Sequence, residues 1–213
     1  MVGFGNEFEN KKKNSKSKIN IDKIIHQGFL LHSQGNIKDA LKNYKYCISA
    51  GVNDDRIYSN CGMILKIFGN LKQAEKLLRK AIEINPNSHD AYTNLGTILK
   101  DQKKLKEAEL CHLKAIEINP NYSLAFTNLG NVLRESKKFQ EAEIVLRKAI
   151  KLDPNSTIAH ANLGEILKCS GRLEEAKLLL RKAIEINPSF TKVYFSLSKF
   201  SLNSDDISWQ KYL

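Results

Sequence analysis

A chain of 213 residues, 42% hydrophobic and 27% charged, has the composition of a soluble protein with room for a substantial core. No window approaches the roughly 18 consecutive apolar residues of a membrane-spanning helix, and the N-terminus lacks the apolar stretch of a secretory signal, so a cytoplasmic protein without a membrane partner is expected. The net charge of +11 admits nucleic acid as well as ordinary solvated helix faces; Cys47, Cys61, Cys111 and Cys169 show no Cys-x-x-Cys pair or zinc spacing and read as buried reduced thiols, with no metal or cofactor expected.

Residues 1–20 hold five lysines against two glutamates and are predicted to be a disordered basic tail. From there a 34-residue period governs the chain: Gly28, Gly62, Gly96, Gly130 and Gly164 anchor units 21–54, 55–88, 89–122, 123–156 and 157–190, and a half unit covers 191–203. The first half of each unit carries apolar residues at helical spacing, as in Tyr92, Leu95, Ile98 and Leu99. The second half does so again through Leu105, Ala108, Leu113 and Ile116, so each unit is predicted to be two antiparallel helices. A glycine inside a helix costs about 0.5–1 kcal/mol relative to alanine, and five in register imply a close packing contact. Ala40, Ala74, Ala108, Ala142 and Ala176 in the second helix supply the matching small series. Pro86, Pro120, Pro154 and Pro188, in INPN, INPN, LDPN and INPS, punctuate the unit boundaries because proline cannot continue a helix. Glu75 with Arg79 and Glu143 with Arg147 are acid-before-base pairs that support exposed helix faces by about 0.2–0.5 kcal/mol each.

The period, the aromatic-x-x-Leu-Gly openings, the paired alanines and the closing prolines resemble the tetratricopeptide repeat, over residues 21 to about 203. The resemblance implies an all-α, right-handed superhelix of helix-turn-helix repeats, an α-solenoid whose first helices line a peptide-binding groove. The first unit departs from the pattern, with Val52 in place of proline and His26 in place of asparagine, as suits a capping repeat.

The openings NCGMILK, NLGTILK, NLGNVLR and NLGEILK keep Asn60, Asn94, Asn128 and Asn162 in register. A helical wheel sets Asn94 opposite Tyr92, Leu95, Gly96 and Leu99, hence facing outward. Asparagine is a poor choice mid-helix, but its amide offers a donor and an acceptor, the complement of a peptide unit. The row is similar to the asparagine ladder in the tetratricopeptide superhelix of O-GlcNAc transferases, which implies a grip on the main chain of an extended peptide and no sugar chemistry. The other reading is that the amides bond across neighbouring helices. Lys66, Lys100, Arg134 and Lys168 lie on the groove flank, either to pair with acidic ligand side chains or to cover apolar surface with their stems. Met63, Thr97, Asn131, Glu165 and Lys199 vary at one groove position and are the candidates for side-chain selectivity.

Against the chaperone-binding class of this family, Asn131, Asn162 and Lys192 fill three of five carboxylate-clamp places, while Thr127 and Ser196 replace the clamp lysine and arginine, so chaperone tails are not expected as ligands. No phosphate cradle, nucleophile motif or converging histidines occur, and His112 and His160 take places where other units have leucine or an aromatic ring. The expectation is a non-enzymatic scaffold for a peptide or protein. A substrate-binding module of a split or truncated transferase, of the sulfotransferase or glycosyltransferase kind, is the alternative, and weak nucleic-acid binding the third reading, since basic residues are not interleaved with aromatics. The last half unit, apolar nearly all round through Val193, Tyr194, Phe195, Leu197, Phe200 and Leu202, predicts self-association if the chain is complete. Ser204–Asp206 reads as the start of a truncated helix over 204–213.

Overall fold

The computed structural model describes residues 20–201, with side chains to Ser198. The basic tail, the helix start at Ser204, and the side chains of Lys199, Phe200 and Leu202 lie outside the described residues. Helix α1 spans 20–33. It is followed by α2 (Ile37–Ser49), α3 (Asp55–Ile67), α4 (Leu71–Ile84), α5 (His89–Asp101), α6 (Leu105–Ile118), α7 (Ser123–Glu135), α8 (Phe139–Leu152), α9 (Thr157–Cys169), α10 (Leu173–Ile186) and α11 (Lys192–Ser201). The fold is all-α, a series of helix-turn-helix repeats. It divides into two compact units, one up to Asn94 and one from Leu95, with the boundary inside α5.

The two turn types follow from the letters. Each first helix ends on a residue in the left-handed region: Gly35, Gly69 and Gly171 at φ near 77°, and Lys103 and Lys137 at 64° and 61°. The next N–H then reaches back to close the last turn, as Asn70 N does to Leu65 O at 2.8 Å and Lys138 N to Leu133 O at 2.9 Å. The second helices α4, α6, α8 and α10 end instead on Asn85, Asn119, Asp153 and Asn187, each extended because a proline follows. Their Oδ1 atoms accept from the N–H two residues on, at 3.1–3.2 Å. The recurring Asx-Pro letters are thus an Asx turn. Where proline is missing, after α2, Gly51 at φ 78° stops the helix and Val52 N donates to Cys47 O at 3.0 Å.

The glycines in the first helices sit under the residue 16 positions later. A Cβ on Gly62 would lie 3.1 Å from Leu78, on Gly130 2.5 Å from Leu146 and on Gly164 2.8 Å from Leu180. The packing contact expected from the glycine row is present in both units. In the second unit, Leu129, Leu133, Leu146, Leu163, Ile166 and Leu167 form one buried cluster across α7, α8 and α9, floored by Ala142, Ala149 and Ala176. A further cluster joins Leu180, Ala183 and Ile184 to Val193 and Leu197 of α11. The last half repeat therefore buries part of its apolar surface within the chain, while Phe195 stays 67% exposed.

Both expected acid-base pairs form, Arg79 to Glu75 and Arg147 to Glu143, each at 2.8 Å. Arg172, which holds the N-cap position of α10, joins the second pair at 2.8 Å and also bonds Glu175, giving a four-membered ion network between α8 and the first turn of α10. The cysteines depart from expectation: Cys47 and Cys61 are buried, Cys111 is half-buried and Cys169 is exposed. Burial pushes the Cys61 thiol up to about 11 and keeps it protonated. Among the described residues no helix is long and apolar enough to cross a membrane.

Candidate functional site

In the first unit, Asn60 on α3 donates to the Tyr44 hydroxyl at 3.5 Å, and Asn94 on α5 donates to Ser59 Oγ at 3.0 Å. Both are half-buried, as are Asn128 on α7 and Asn162 on α9. The outward position expected from the wheel is therefore only partly realised. A wheel accounts for the helix paired within the repeat but not for the preceding repeat, which meets Asn60 through its second helix, α2, and Asn94 through its first helix, α3. One N–H bonded to a neighbour fixes an amide's orientation and leaves its carbonyl and second N–H. Lys66 is half-buried on α3.

In the second unit, Thr97 is half-buried and Lys100 lies 3.3 Å from Asp101 and 4.0 Å from Glu135. The remaining predicted residues come together. A cleft of about 350 Å³ opens between α7, α9 and α11, lined by Asn131, Arg134, Asn162, Glu165 and Lys168. On its walls Arg134 Nη2 donates to Asn131 Oδ1 at 2.8 Å and Lys168 Nζ meets Glu165 Oε2 at 2.8 Å. Arg134 Nε and Glu165 Oε1 are buried without a hydrogen-bond partner. Burial pushes the Glu165 carboxyl up, but the Lys168 ammonium, the Ser196 hydroxyl and the Arg134 charge outweigh it. The group is held below the ordinary carboxylate range and is ionised at neutral pH.

Lys192, Phe195 and Ser196 of α11 complete the cleft, and Ile158 stands at its rim, 49% exposed. Asn131, Asn162 and Lys192, the three clamp-like positions, thus share one site. Phe195 was not read from the sequence as a site residue. Its register could have marked it: Ser59, Thr93, Thr127 and Ala161 hold the same place in earlier repeats, so a phenylalanine there is an added surface ring. The histidines fall elsewhere. His160 is buried and bonds the Ser156 carbonyl through Nδ1 at 2.9 Å. His112 is fully buried against Gly96 with neither ring nitrogen bonded. Among the described residues no three His, Cys, Asp or Glu side chains gather as a metal site.

Family models described as tetratricopeptide repeat match residues 55–88, 89–122, 113–144 and 133–199, and together cover 55–199 without a gap. The chain is a tetratricopeptide repeat protein. No curated protein matches the sequence. Among solved structures, this repeat protein is similar to MamA, with TM-score 0.65, 23% identity, and coverage of 81% of this chain and 94% of the other. It is also similar to MamA from Desulfovibrio magneticus RS-1, at 0.67 and 20%, covering 80% and 96%. YrrB, described as a TPR protein with an unusual peptide-binding site, gives 0.65 and 23%, covering 88% and 97%. At these identities the likeness is one of fold. The particular resemblance to O-GlcNAc transferases expected from the Asn-Leu-Gly openings is carried by none of these matches.

Proposed function

We propose that the protein is a binding scaffold that holds an extended peptide segment of a partner, with the cleft between α7, α9 and α11 as its selective site. The observation that carries this reading is convergence: five residues singled out in two repeats line one cleft with Lys192 and Phe195 of a third. Three cations, Arg134, Lys168 and Lys192, face one ionised carboxylate, Glu165, so the local field favours an acidic ligand residue. Phe195 and Ile158 offer apolar surface beside it, which suits an apolar residue next to the acid in the bound segment. Asn128 and Asn162 are the positions for gripping its main chain. YrrB, of the same fold, is described as a peptide-binding protein, which agrees with this reading.

The experiment is a peptide array varied in charge and apolarity, probed with the natural chain and followed by fluorescence anisotropy on the best sequences. Acidic-apolar peptides are expected to bind, with affinity falling about tenfold or more in Arg134→Ala and in Phe195→Ala. Retention of basic or neutral peptides in preference, or equal binding by both variants at unchanged helicity, would overturn the assignment.

A further inference from the structure

Helices α6, α8 and α10 carry Leu110, Ile144 and Leu178 on their solvent side, exposed by 67%, 69% and 66%. The three stand one repeat apart, and the first two repeats of the chain place Lys42 and Lys76 at this register. An exposed helix position therefore holds lysine where nothing else is asked of it and a large aliphatic residue in three successive repeats of the second unit. Ion pairs beside the row bridge the helices, Lys138 to Glu109 at 2.9 Å and Arg172 to Glu143 at 2.8 Å, so the three apolar side chains belong to one face. One turn before each lies a glutamate, Glu107, Glu141 and Glu175, and one turn after each a lysine, Lys114, Lys148 and Lys182. The face is a strip with an apolar midline between a row of glutamates and a row of lysines. Within the chain Glu175 already bonds Arg147 and Arg172, Lys114 bonds Glu117 and Lys182 bonds Glu185. The central pair, Lys148 and Glu141, the latter 3.9 Å from Lys138, therefore carries the charge pattern. The helix dipole accounts for acids early and bases late in a helix, but not for the midline.

We propose that this strip binds a second copy of the chain about a two-fold axis that runs along the apolar row. A half turn about that axis reverses each helix against its own copy, setting Leu110, Ile144 and Leu178 on themselves. The acidic edge of one strip then lies over the basic edge of the other, with Glu141 facing Lys148 of the second copy. An axis parallel to the helices would set glutamate on glutamate and lysine on lysine, so the charge pattern selects the antiparallel arrangement. Specific interfaces bury roughly 1,200–2,000 Å²; three aliphatic side chains from each copy supply only part of that area and the flanking glutamates and lysines the rest, which makes the dimer weak and concentration-dependent.

Sedimentation velocity over a rising concentration series tests this. The natural chain is expected to pass from monomer to dimer. Ile144→Lys, which installs the residue that two other repeats already carry there, is expected to stay monomeric with unchanged circular dichroism. Glu141→Lys and Lys148→Glu should each weaken dimerisation about tenfold, and the two together should restore it. A natural chain that stays monomeric, an Ile144→Lys variant that dimerises like the natural chain, or a double variant no better than the singles would each overturn the proposal. The strip shares no residue with the cleft between α7, α9 and α11, so peptide binding by Ile144→Lys remains intact and the two readings stand or fall separately.

Discussion

His112 shows how one side chain can set the pH response of a repeat. It occupies the place that Leu78, Leu146 and Leu180 fill in neighbouring repeats, under the in-register glycine. Burial, aided by the nearby Lys100 charge, drops its pKa from 6.5 to about 4. The unfolded chain binds that proton from about pH 6.5 downward and the folded chain only near 4, so stability is intact above 6.5 and falls as the pH drops between those values. The loss totals about 3 kcal/mol, from about 1.4 kcal/mol per pH unit. Urea unfolding at pH 7 and pH 5 should show about 2 kcal/mol of this loss in the natural chain and a much smaller one in His112→Leu. At pH 7 the leucine variant should gain about 1–3 kcal/mol by removing two unbonded nitrogens. That His112 is packed was legible from register alone, because three sister repeats have leucine there. The partly covered state of Asn94 was not, because its cover comes from Ser59, 35 residues earlier, and a wheel sees only one helix.

At the scale of the element, the turns are the most legible part of the chain and two of them are under strain. Asx-Pro letters foretold where α4, α6, α8 and α10 stop, and the glycines at 35, 69 and 171 mark the ends of first helices. Lys103 and Lys137 hide the same turn, because nothing in a lysine signals a positive φ; only the 34-residue register does. A left-handed conformation costs a residue with a Cβ about 1–2 kcal/mol. Lys103 has a compensating bond to Glu135 at 3.1 Å, so Lys137, which is exposed, is the cleaner test. Lys137→Gly should raise stability by about 1 kcal/mol, read as a shift of the denaturation midpoint at constant slope. Helix α11 was harder to read. Its letters are apolar on every side, yet Val193 and Leu197 are buried and Phe195 faces the cleft, a division that depends on where α10 and α9 lie rather than on α11 itself.

For the whole molecule, stability in a repeat protein is close to a sum over repeats and their interfaces. A chain lacking residues 123–156 should therefore still fold, since repeat 89–122 would meet repeat 157–190 through the same glycine, alanine and Asx-Pro positions. Circular dichroism should show a cooperative melt with helix content per residue unchanged. A molten, non-cooperative profile would mean that the two repeats are not interchangeable in their contacts. The period, the helix pairs and the core positions were all legible because every repeat restates them. The cleft was legible only in part, since it is assembled from letters that the repeats do not share.

That difference bears on how such a chain changes over generations. The Asx turns close every second helix in the same way, so a slipped recombination within the coding sequence can add or drop a whole repeat without leaving a mismatched joint. Length is thus easily altered by copying. The pocket formed by Asn131, Arg134, Glu165, Lys168, Lys192 and Phe195 cannot be copied in that manner: loss of residues 123–156 would bring Thr97 and Lys100 to the places of Asn131 and Arg134, keeping a cation but losing the amide. Under the binding role proposed for this cleft, selectivity has to be acquired one substitution at a time, on a frame that can be extended wholesale.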